Sequence, residues 1–559
     1  VGPTSIPQTW DWCSGYHASD STVIGFSHTH LSGTGIGDLF DVTVMPVTGD
    51  VTYARGEEAD PASGLWSYAD RTQEIARPGY YSVPLTRYGI TAEMTATPRV
   101  GLHRYTFPAS DAAAVVFDLE NGGCWDKATE THLAKEGDRT VTGWRHSTGW
   151  AKDQRVYFVA EFSKPFEKFE TIGDNYARAS FRTTDGEQVS LKVALSPVSV
   201  EGAKANLAAE LSGWDFDATA KAADKAWNDE LSKVKITTAD ETARRIFYTA
   251  LYHTMIAPSL FCDVNGDYYG SDHAIHRNAD FTNYTTFSLW DTYRAAMPLM
   301  TVLHPEKMAD IVQTMLHIAD EQGRLPVWHL WGNETDCMVG NPGIVAVADA
   351  IVKGIGGFDR EKAFEAIRKT AMNPDRGNGL RMEYGYIPCE MFNEAVAYDM
   401  EYALADGAAA RAAETLGKAE DAKYFEERSH SYRNYFDPAT RFMRGRDSRK
   451  GWRTPFNAFA STHRADDYCE GNAWQYTWLA PHDVKGLEGL FGSRAKMIEK
   501  LDSLFTVSSV IEGGETSPDI SGLIGQYAHG NEPSHHIPYL YSWTTEPWKT
   551  QYWIREIMN

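Results

Sequence analysis

The chain has 559 residues, of which 42% are hydrophobic and 23% charged, and its 53 basic and 76 acidic side chains give a formal charge of −23. This length predicts several domains with large cores, and the lack of an apolar run of 18 or more residues excludes a membrane-spanning protein. The negative charge repels phosphate backbones and anionic lipids, so nucleic acids and membrane surfaces are poor partners.

Residues 1 to about 200 have the pattern of an antiparallel β-sandwich. Alternating or β-branched runs at 42–47, 113–119, 155–160 and 189–195 are separated by Gly, Asp and Asn turns. Many strands without intervening helices favour a sandwich as the first domain, residues 1–200.

Beyond residue 200 the pattern becomes helical. Residues 203–233 are rich in Ala, Glu and Lys, which predicts a helical linker at 201–238. From 239 to 559, apolar residues recur three and four positions apart, and about a dozen helices are expected with no strands between them. This domain is predicted to be an α/α toroid whose loops form a cleft at one end.

Several motifs point to no specific chemistry. The glycine run at 33–37 lacks the Gly-Lys-Ser/Thr ending of a phosphate loop. His28 and His30 share a strand face, but a metal site would need a third ligand. His535 and His536 are adjacent, and neither HExxH nor GxSxG occurs. The six cysteines contain no CxxC pair, so neither a zinc ribbon nor a dense disulfide scaffold is supported.

Carboxylates beside aromatic residues in loops are the informative feature. Asp291, Glu334, Asp336, Glu470 and Glu532 each lie near Trp, Asn or Gly at a predicted helix start. A carboxyl group in an aromatic, partly desolvated pocket has a raised pKa, which a general acid for glycosidic oxygen requires. Aromatic residues make up 12% of the chain and suit sugar faces, although large domains also bury many aromatics for stability.

The neighbour of Asp291 suggests a different role for that residue. Arg294 is three positions along the chain, and its charge is expected to lower the pKa of Asp291. An ionised Asp291 would be suited to binding vicinal hydroxyl groups.

Five segments of the chain form a recognisable series. In order, they are GFSHTHLSGTGIGD (25–38), WDTYR (290–294), WGNETDCMVGNP (331–342), CEGNAWQYTWLAPHD (469–483) and SGLIGQYAHGNEPSHHIPYLY (521–541). Taken together, they resemble glycoside hydrolase family 92, the calcium-dependent exo-α-mannosidases. The resemblance implies an N-terminal antiparallel β-supersandwich followed by an (α/α)6 toroid, inversion at the anomeric carbon, and an active site between the domains.

The resemblance also assigns roles to residues. It implies that Glu470 is the general acid, that Asp291 holds the sugar at the −1 position, and that Glu532 contacts the +1 sugar. Members that cleave α-1,2 bonds tend to have His where this chain has Asn531, so the linkage is left open. Further substrate-binding residues are expected at Trp12, His30, Arg294, Glu334, Asp336 and His535.

The resemblance raises an expectation about the ends of the chain. Family members precede residue 1 with a Gly-rich stretch and continue beyond Asn559 into a segment that supplies the catalytic base. The sequence is therefore expected to be a fragment truncated at both ends, without a signal peptide. Within it, Asp291 and Asp336 are the only carboxylates that could be proposed as the base instead.

The leading hypothesis is a Ca²⁺-dependent, inverting exo-α-mannosidase that acts on mannose-rich glycans and is secreted, periplasmic or on the cell surface. Calcium accepts six to eight oxygen ligands and could bind sugar hydroxyls, but the sequence does not identify its protein ligands. Two alternatives stay open: a catalytically incomplete glycan-binding protein, and another α/α-toroid glycosidase or phosphorylase.

Overall fold

The computed structural model describes residues 1–4, 15–31 and 37–559. Trp12 and most of the glycine run at 33–37 lie outside these described residues. The chain divides into two compact units, residues 1–286 with 329–335, and residues 287–328 with 336–559. Within the described ranges, no helix combines the length and the apolar character needed to cross a membrane.

Antiparallel strands form most of the first unit. The four runs predicted to be strands coincide with β4, β10, β13 and β16. The bounds are β1 (Gly2–Thr4), β2 (Thr22–Val23), β3 (Gly25–Ser27), β4 (Thr43–Thr48), β5 (Ser67–Tyr68), β6 (Ile75–Arg77), β7 (Tyr80–Leu85), β8 (Ile90–Ala96), β9 (Val100–Phe107), β10 (Ser110–Asp118), β11 (Lys127–Glu136), β12 (Thr140–Thr148), β13 (Gln154–Phe162), β14 (Lys168–Ile172), β15 (Tyr176–Thr183) and β16 (Glu187–Ser196).

Two large sheets share one core. The six-stranded sheet has the order β1-β3-β4-β10-β15-β14, and the eight-stranded sheet has the order β11-β12-β13-β16-β9-β8-β7-β6. Val115 of β10 lies opposite Pro46 and Ala179, which fixes the register at the middle of the first sheet. Phe117 of the first sheet packs in the same buried cluster as Phe158 of the second. The predicted antiparallel β-domain is therefore confirmed.

Two helices cover the other face of the eight-stranded sheet. Helices α1 (Val200–Glu210) and α2 (Phe216–Leu231) contribute Leu207 and Phe216 to a cluster with Val159 of β13. The central strands of this sheet are thus covered on both faces. Helix α3 (Glu241–His253) and short strands follow: β17 (Ser259–Leu260), β18 (Tyr268–Tyr269), β19 (Ile275–His276) and β20 (Tyr284–Thr285).

Helices dominate the second half of the chain, as predicted, but short strands also occur there. The helices are α4 (Leu289–Thr292), α5 (Ala296–Leu303), α6 (Pro305–Gln322), α7 (Pro342–Val352), α8 (Arg360–Ala371), α9 (Asn378–Tyr384), α10 (Ala395–Thr415), α11 (Ala419–Arg428), α12 (Ala473–Tyr476), α13 (Val484–Phe491), α14 (Arg494–Thr506) and α15 (Trp548–Met558). The strands are β21 (Phe287–Ser288), β22 (Trp328–Leu330), β23 (Asn333–Glu334), β24 (Phe436–Asp437), β25 (Phe442–Met443), β26 (Leu523–Ile524) and β27 (Tyr527–Ala528). The expectation of no strands between the helices was therefore wrong.

Helix α10 forms the centre of the second unit. Sixteen of its 21 residues are buried, and half of those sixteen are alanines, whose small side chains allow α7, α8 and α11 to pack closely against it. Two of its carboxylates bind arginines: Arg381 Nε donates to Asp399 at 2.7 Å, and Arg381 Nη1 donates to Asp406 at 2.7 Å. Arg428 Nε also donates to Asp406, at 3.1 Å. These four residues are called the Arg381 network below.

Candidate active site

A single turn of the second unit carries the WDTYR motif. It comprises the four-residue helix α4 and the two residues that follow. Residues i, i+3 and i+4 of a helical turn lie on one side, and here that side contains Trp290, Tyr293 and Arg294. All three reach Glu401 of α10: Trp290 Nε1 donates at 3.0 Å, the Tyr293 hydroxyl at 2.9 Å and Arg294 Nη2 at 2.6 Å.

Asp291, in the same turn, is not held by Glu401. Its carboxylate accepts a hydrogen bond from Ser288 Oγ and lies beside the carboxyl group of Glu532. Burial, together with the charge of Glu532, raises the pKa of Asp291 to about 7, and Arg294 opposes this only in part. The prediction that Arg294 keeps the pKa of Asp291 low was therefore wrong, because burial and the charge of Glu532 outweigh the effect of the guanidinium group, which is bound to Glu401.

Glu470 lies in the loop before α12 and has a left-handed backbone with φ 47°. Asn472 caps α12: its side chain accepts from Trp474 N at 3.0 Å, and its own N–H donates to Gln475 Oε1 at 2.7 Å. The Glu470 carboxylate is therefore not required as a helix cap. The backbone carbonyl of Glu470 accepts from Asn531 Nδ2 at 2.6 Å, which holds the loop against the 531–534 turn.

The pKa of Glu470 is raised to about 8. Burial is the largest cause, and the charges of Asp519, Glu532 and Asp291 add to it, while hydrogen bonding from Asn531 opposes it. The predicted rise in the pKa of this carboxyl group is confirmed. Near neutral pH, Glu470 is largely protonated, as a proton donor must be.

Glu532 begins a short 3-10 turn, Glu532–Ser534, and its pKa is also raised, mainly by burial. The charge of Arg294 and the contact with Asp291 oppose that rise. His535 follows, with Nε2 at 2.9 Å from the carbonyl of His529 and a pKa lowered by burial. His535 is therefore a neutral side chain at this edge of the site.

Asp291, Glu470, Asp519 and Glu532 are called the carboxylate cluster below. Sequence reasoning missed Asp519 and Glu401. Asp519 lies in a Ser-Pro-Asp loop without aromatic neighbours, so no local signal marked it. Glu401 gave a usable signal, because an acid on the buried face of an alanine-rich helix requires a hydrogen-bonding partner.

The other predicted substrate-binding residues have their own partners. Asp336 is exposed and forms ion pairs with Arg324 and with Arg376, the latter at 3.5 Å. In the first unit, Glu334 lies opposite His329 in the β22–β23 hairpin, and His30 Nε2 is 2.8 Å from Ser27 Oγ. Trp12 falls outside the described residues, so its role, like theirs, stays a prediction.

The geometry combines one acid that is protonated at neutral pH with a neighbouring carboxyl pair. A donor of this kind can protonate a departing oxygen, and the pair can accept hydrogen bonds from hydroxyl groups. Protonation of the leaving oxygen and binding of sugar hydroxyls are two of the requirements for cleaving a glycosidic bond.

Comparisons with known proteins agree with this chemistry. The N-terminal domain of glycosyl hydrolase family 92 matches residues 1–196, and the catalytic domain of that family matches residues 202–559. A family 92 α-mannosidase from Bacteroides thetaiotaomicron, solved with mannoimidazole, superposes with a TM-score of 0.95 at 39% identity, covering 100% of this chain and 76% of that one.

Two further relatives are more distant. An inverting family 92 mannosidase from Bacteroides thetaiotaomicron has a TM-score of 0.86 at 29% identity, covering 100% of this chain and 80% of that one. A curated protein of Arthroderma benhamiae, described as an uncharacterized secreted glycosidase, is 26% identical over 580 residues, covering 90% of this chain and 70% of that protein.

Proposed function

Because the chain belongs to glycosyl hydrolase family 92 and is therefore a glycoside hydrolase, we propose that it is an inverting exo-α-mannosidase that removes terminal mannose from mannose-rich glycans. The observation that carries the proposal is Glu470, a carboxyl group with a pKa of about 8 among three further carboxylates. The solved relatives support it, since two are described as α-mannosidases or mannosidases and one of them as inverting.

In the proposed mechanism, Glu470 donates its proton to the glycosidic oxygen as the bond to the leaving sugar breaks. Inversion also requires a carboxylate that deprotonates water on the opposite face of the ring, about 6.5 to 9.5 Å from the acid. None of the residues proposed here takes that role. Asn531 holds the carbonyl of Glu470 and so fixes the loop that presents the acid.

The substrate contacts extend from the same cluster. We assign Asp291 to the hydroxyls of the −1 sugar, with Arg294 beside it, and Glu532 to the +1 sugar. Asn531 stands where family members that cleave α-1,2 bonds tend to have His, so the linkage is left open. The remaining glycan contacts are proposed at Trp12, His30, Glu334, Asp336 and His535.

Calcium fits the charge balance of the cluster. Arg294 acts on Asp291 and Glu532 of the four carboxylates, and its guanidinium group is already bound to Glu401, so the cluster has more acids than cations. Oxygen ligands of this kind suit Ca²⁺ and do not suit zinc. Among the described residues, the three side chains whose ligand atoms lie within 4.8 Å of one another are Asp272, His276 and Glu321, outside the cluster, so no residue is assigned as a Ca²⁺ ligand. When bound, calcium would coordinate sugar hydroxyls and favour a distorted ring.

Removing divalent cations tests the calcium requirement. Chelation with EDTA is expected to abolish mannose release, and added Ca²⁺ to restore it, whereas Zn²⁺ should not. Full activity in excess chelator would contradict the requirement. The site of action is proposed to lie outside the cytoplasm, in agreement with the relative described as secreted.

Glu470→Gln tests the central role. In a protein that spans the full length of its family 92 relatives, mannobiose turnover is expected to fall at least about 100-fold, the usual scale for general acid catalysis. Aryl mannosides whose leaving group needs no proton should lose far less. Equal loss on both substrates would mean that Glu470 does not donate the proton.

Glu394→Gln is a matched control. Glu394 is also a half-buried glutamate with a left-handed backbone, at φ 53°, and with a pKa raised by burial. Its variant should keep turnover within a few-fold of the parent.

Calorimetry with mannoimidazole separates binding from turnover. Binding without hydrolysis of mannobiose by the unaltered chain would favour a glycan-binding protein, and absence of both would overturn the proposed function.

A further inference from the structure

Resting on the proposed function, we propose that Glu401 is a positioning residue of the site. Its hydrogen bonds hold the 290–294 turn in the position that places Asp291 beside Glu532. They also keep the guanidinium group of Arg294 bound to Glu401. Glu401 is one helix away from the cluster and makes no proposed contact with substrate.

The contacts of Glu401 converge on a single turn. Its side chain is 3% exposed and accepts hydrogen bonds from Trp290, Tyr293 and Arg294, at 2.6 to 3.0 Å. Three donors from five consecutive residues fix both the position and the rotation of that turn. A carboxylate used only for stability has no need to take all its side-chain partners from one motif.

The rotation of the turn decides where Asp291 lies. Trp290, Tyr293 and Arg294 occupy the side held by Glu401, and Asp291 is about 100° further around the turn from Trp290. There it accepts from Ser288 and meets Glu532. Without Glu401, the turn could rotate or shift, and Asp291 would leave the position proposed for the −1 sugar.

Glu401 also determines which carboxylate forms an ion pair with Arg294. At present Arg294 Nη2 donates to Glu401 Oε1, and the guanidinium group stacks over Tyr293 at 4.7 Å. If Glu401 lost its charge, the guanidinium group would be free to pair with Asp291 or Glu532. Other charged or titratable groups that interact electrostatically with Arg294 or Asp291 are Tyr293, Cys337, Glu470, Tyr476, His535 and His536.

Helix α10 offers a matched control. Asp399, two residues before Glu401, is also fully buried and binds Arg381 Nε at 2.7 Å and the Tyr435 hydroxyl at 2.8 Å. Positions two apart on a helix point about 200° apart, so Asp399 is on the opposite side of α10 from Glu401. Asp399→Asn therefore removes an equivalent buried charge without touching the 290–294 turn.

The test compares Glu401→Gln with Asp399→Asn in the full chain, by calorimetry with mannoimidazole across pH. Glu401→Gln is expected to weaken binding about 10-fold and to move the acid limb of the binding profile down by about one pH unit or more, because a free Arg294 favours ionised Asp291 and Glu532. Asp399→Asn should lower the melting temperature at least as much and leave the pH profile in place. Matching profiles for the two variants would overturn the proposal.

A double variant guards against a general loss of structure. Arg294→Met with Glu401→Gln removes both charges, so its pH profile should return toward that of the parent even though binding stays weak. A double variant as shifted as Glu401→Gln alone would contradict the role assigned to Arg294 pairing.

A second measurement is independent of the proposed function. If the parent chain bound no mannoimidazole, the proposed function would fail, and Glu401 could still be judged from the free energy of unfolding measured against pH. Glu401→Gln should change the slope of that curve between about pH 4.5 and 8, the interval that contains the raised pKa values of Asp291 and Glu470. An unchanged slope would overturn the positioning role.

Discussion

The Arg381 network and the carboxylate cluster both place acidic side chains inside the helical unit, but their charges are balanced differently. In the network, Asp399 and Asp406 share Arg381 and Arg428, so two acids meet two cations. In the cluster, four acids lie together, and the arginine that acts on two of them, Asp291 and Glu532, is bound to a fifth acid, Glu401.

The difference separates stability from chemistry. A buried acid whose charge is matched holds the fold together, and leaving its partner unpaired is costly. A buried acid without a matching cation keeps its proton, as the pKa of about 8 at Glu470 illustrates. Acidic side chains with a pKa raised in this way are typical of active sites.

The largest expected effect on stability comes from breaking the Arg381 network, in which the charges are balanced. Arg381→Met leaves Asp399 without a cation and Asp406 with Arg428 alone, and should lower the free energy of unfolding by about 3 to 5 kcal/mol. Urea denaturation measures it. Mannoimidazole binding by the fraction that remains folded should be unchanged, and a loss of under about 1 kcal/mol would show that the network is not the stabilising one.

The next effect concerns the carboxylate cluster, in particular Glu470. The raised pKa of Glu470 means that the folded chain binds a proton more tightly than the unfolded chain, whose glutamate titrates near 4.5. Stability from this group is therefore fully present below pH 4.5 and is lost as pH rises toward 8, at up to about 1.4 kcal/mol per pH unit. Glu470→Gln should flatten this decline, and Glu394→Gln should flatten it less. An equal decline in parent and Glu470→Gln would contradict the assignment.

A smaller effect is expected at the contact between the two loops of the cluster. Asn531→Ala removes the donor to the buried carbonyl of Glu470 and should cost about 1 to 3 kcal/mol. Because Asn531 also opposes the rise in the pKa of Glu470, its loss should move the alkaline limb of mannobiose hydrolysis to higher pH. A shift to lower pH would be inconsistent with this contact.

The smallest expected effect sharpens the role of Glu470 itself. Asn472→Ala removes the cap of α12 and should cost about 1 kcal/mol, read from thermal unfolding, while leaving the pH profile unchanged. If Glu470→Gln cost the helix as much as Asn472→Ala at acidic pH, where both forms of residue 470 are uncharged, Glu470 would share the capping role.

The sequence was sufficient for features that depend on local pattern. The alternating run at 113–119 predicted β10, and the aromatic surroundings of Glu470 predicted the raised pKa of its carboxyl group. The ordered motifs predicted the family, and the matches to both of its domains confirm that resemblance.

The sequence failed where the deciding partner is distant. Arg294 was read as the partner of Asp291, three residues away, yet the acid that binds it is Glu401, 107 residues further along the chain. The strand pairs between the helices were missed because each strand is only two or three residues long, too short for a repeating pattern. Tertiary packing determines which distant charges form pairs and where very short strands form. The pattern of neighbouring residues in the sequence does not contain this information.

Helix α10 has a mechanical consequence. One side of it is anchored to the bundle through Asp399, and the other side carries the acid that grips the WDTYR turn. Because both sides of α10 are bound, a shift of the helix along its axis would also move the residues proposed to bind the sugar. A shift of one helical turn would be about 5.4 Å. Heating that displaces α10 should therefore weaken ligand binding before the second unit unfolds, so that ligand binding reports on the position of this helix.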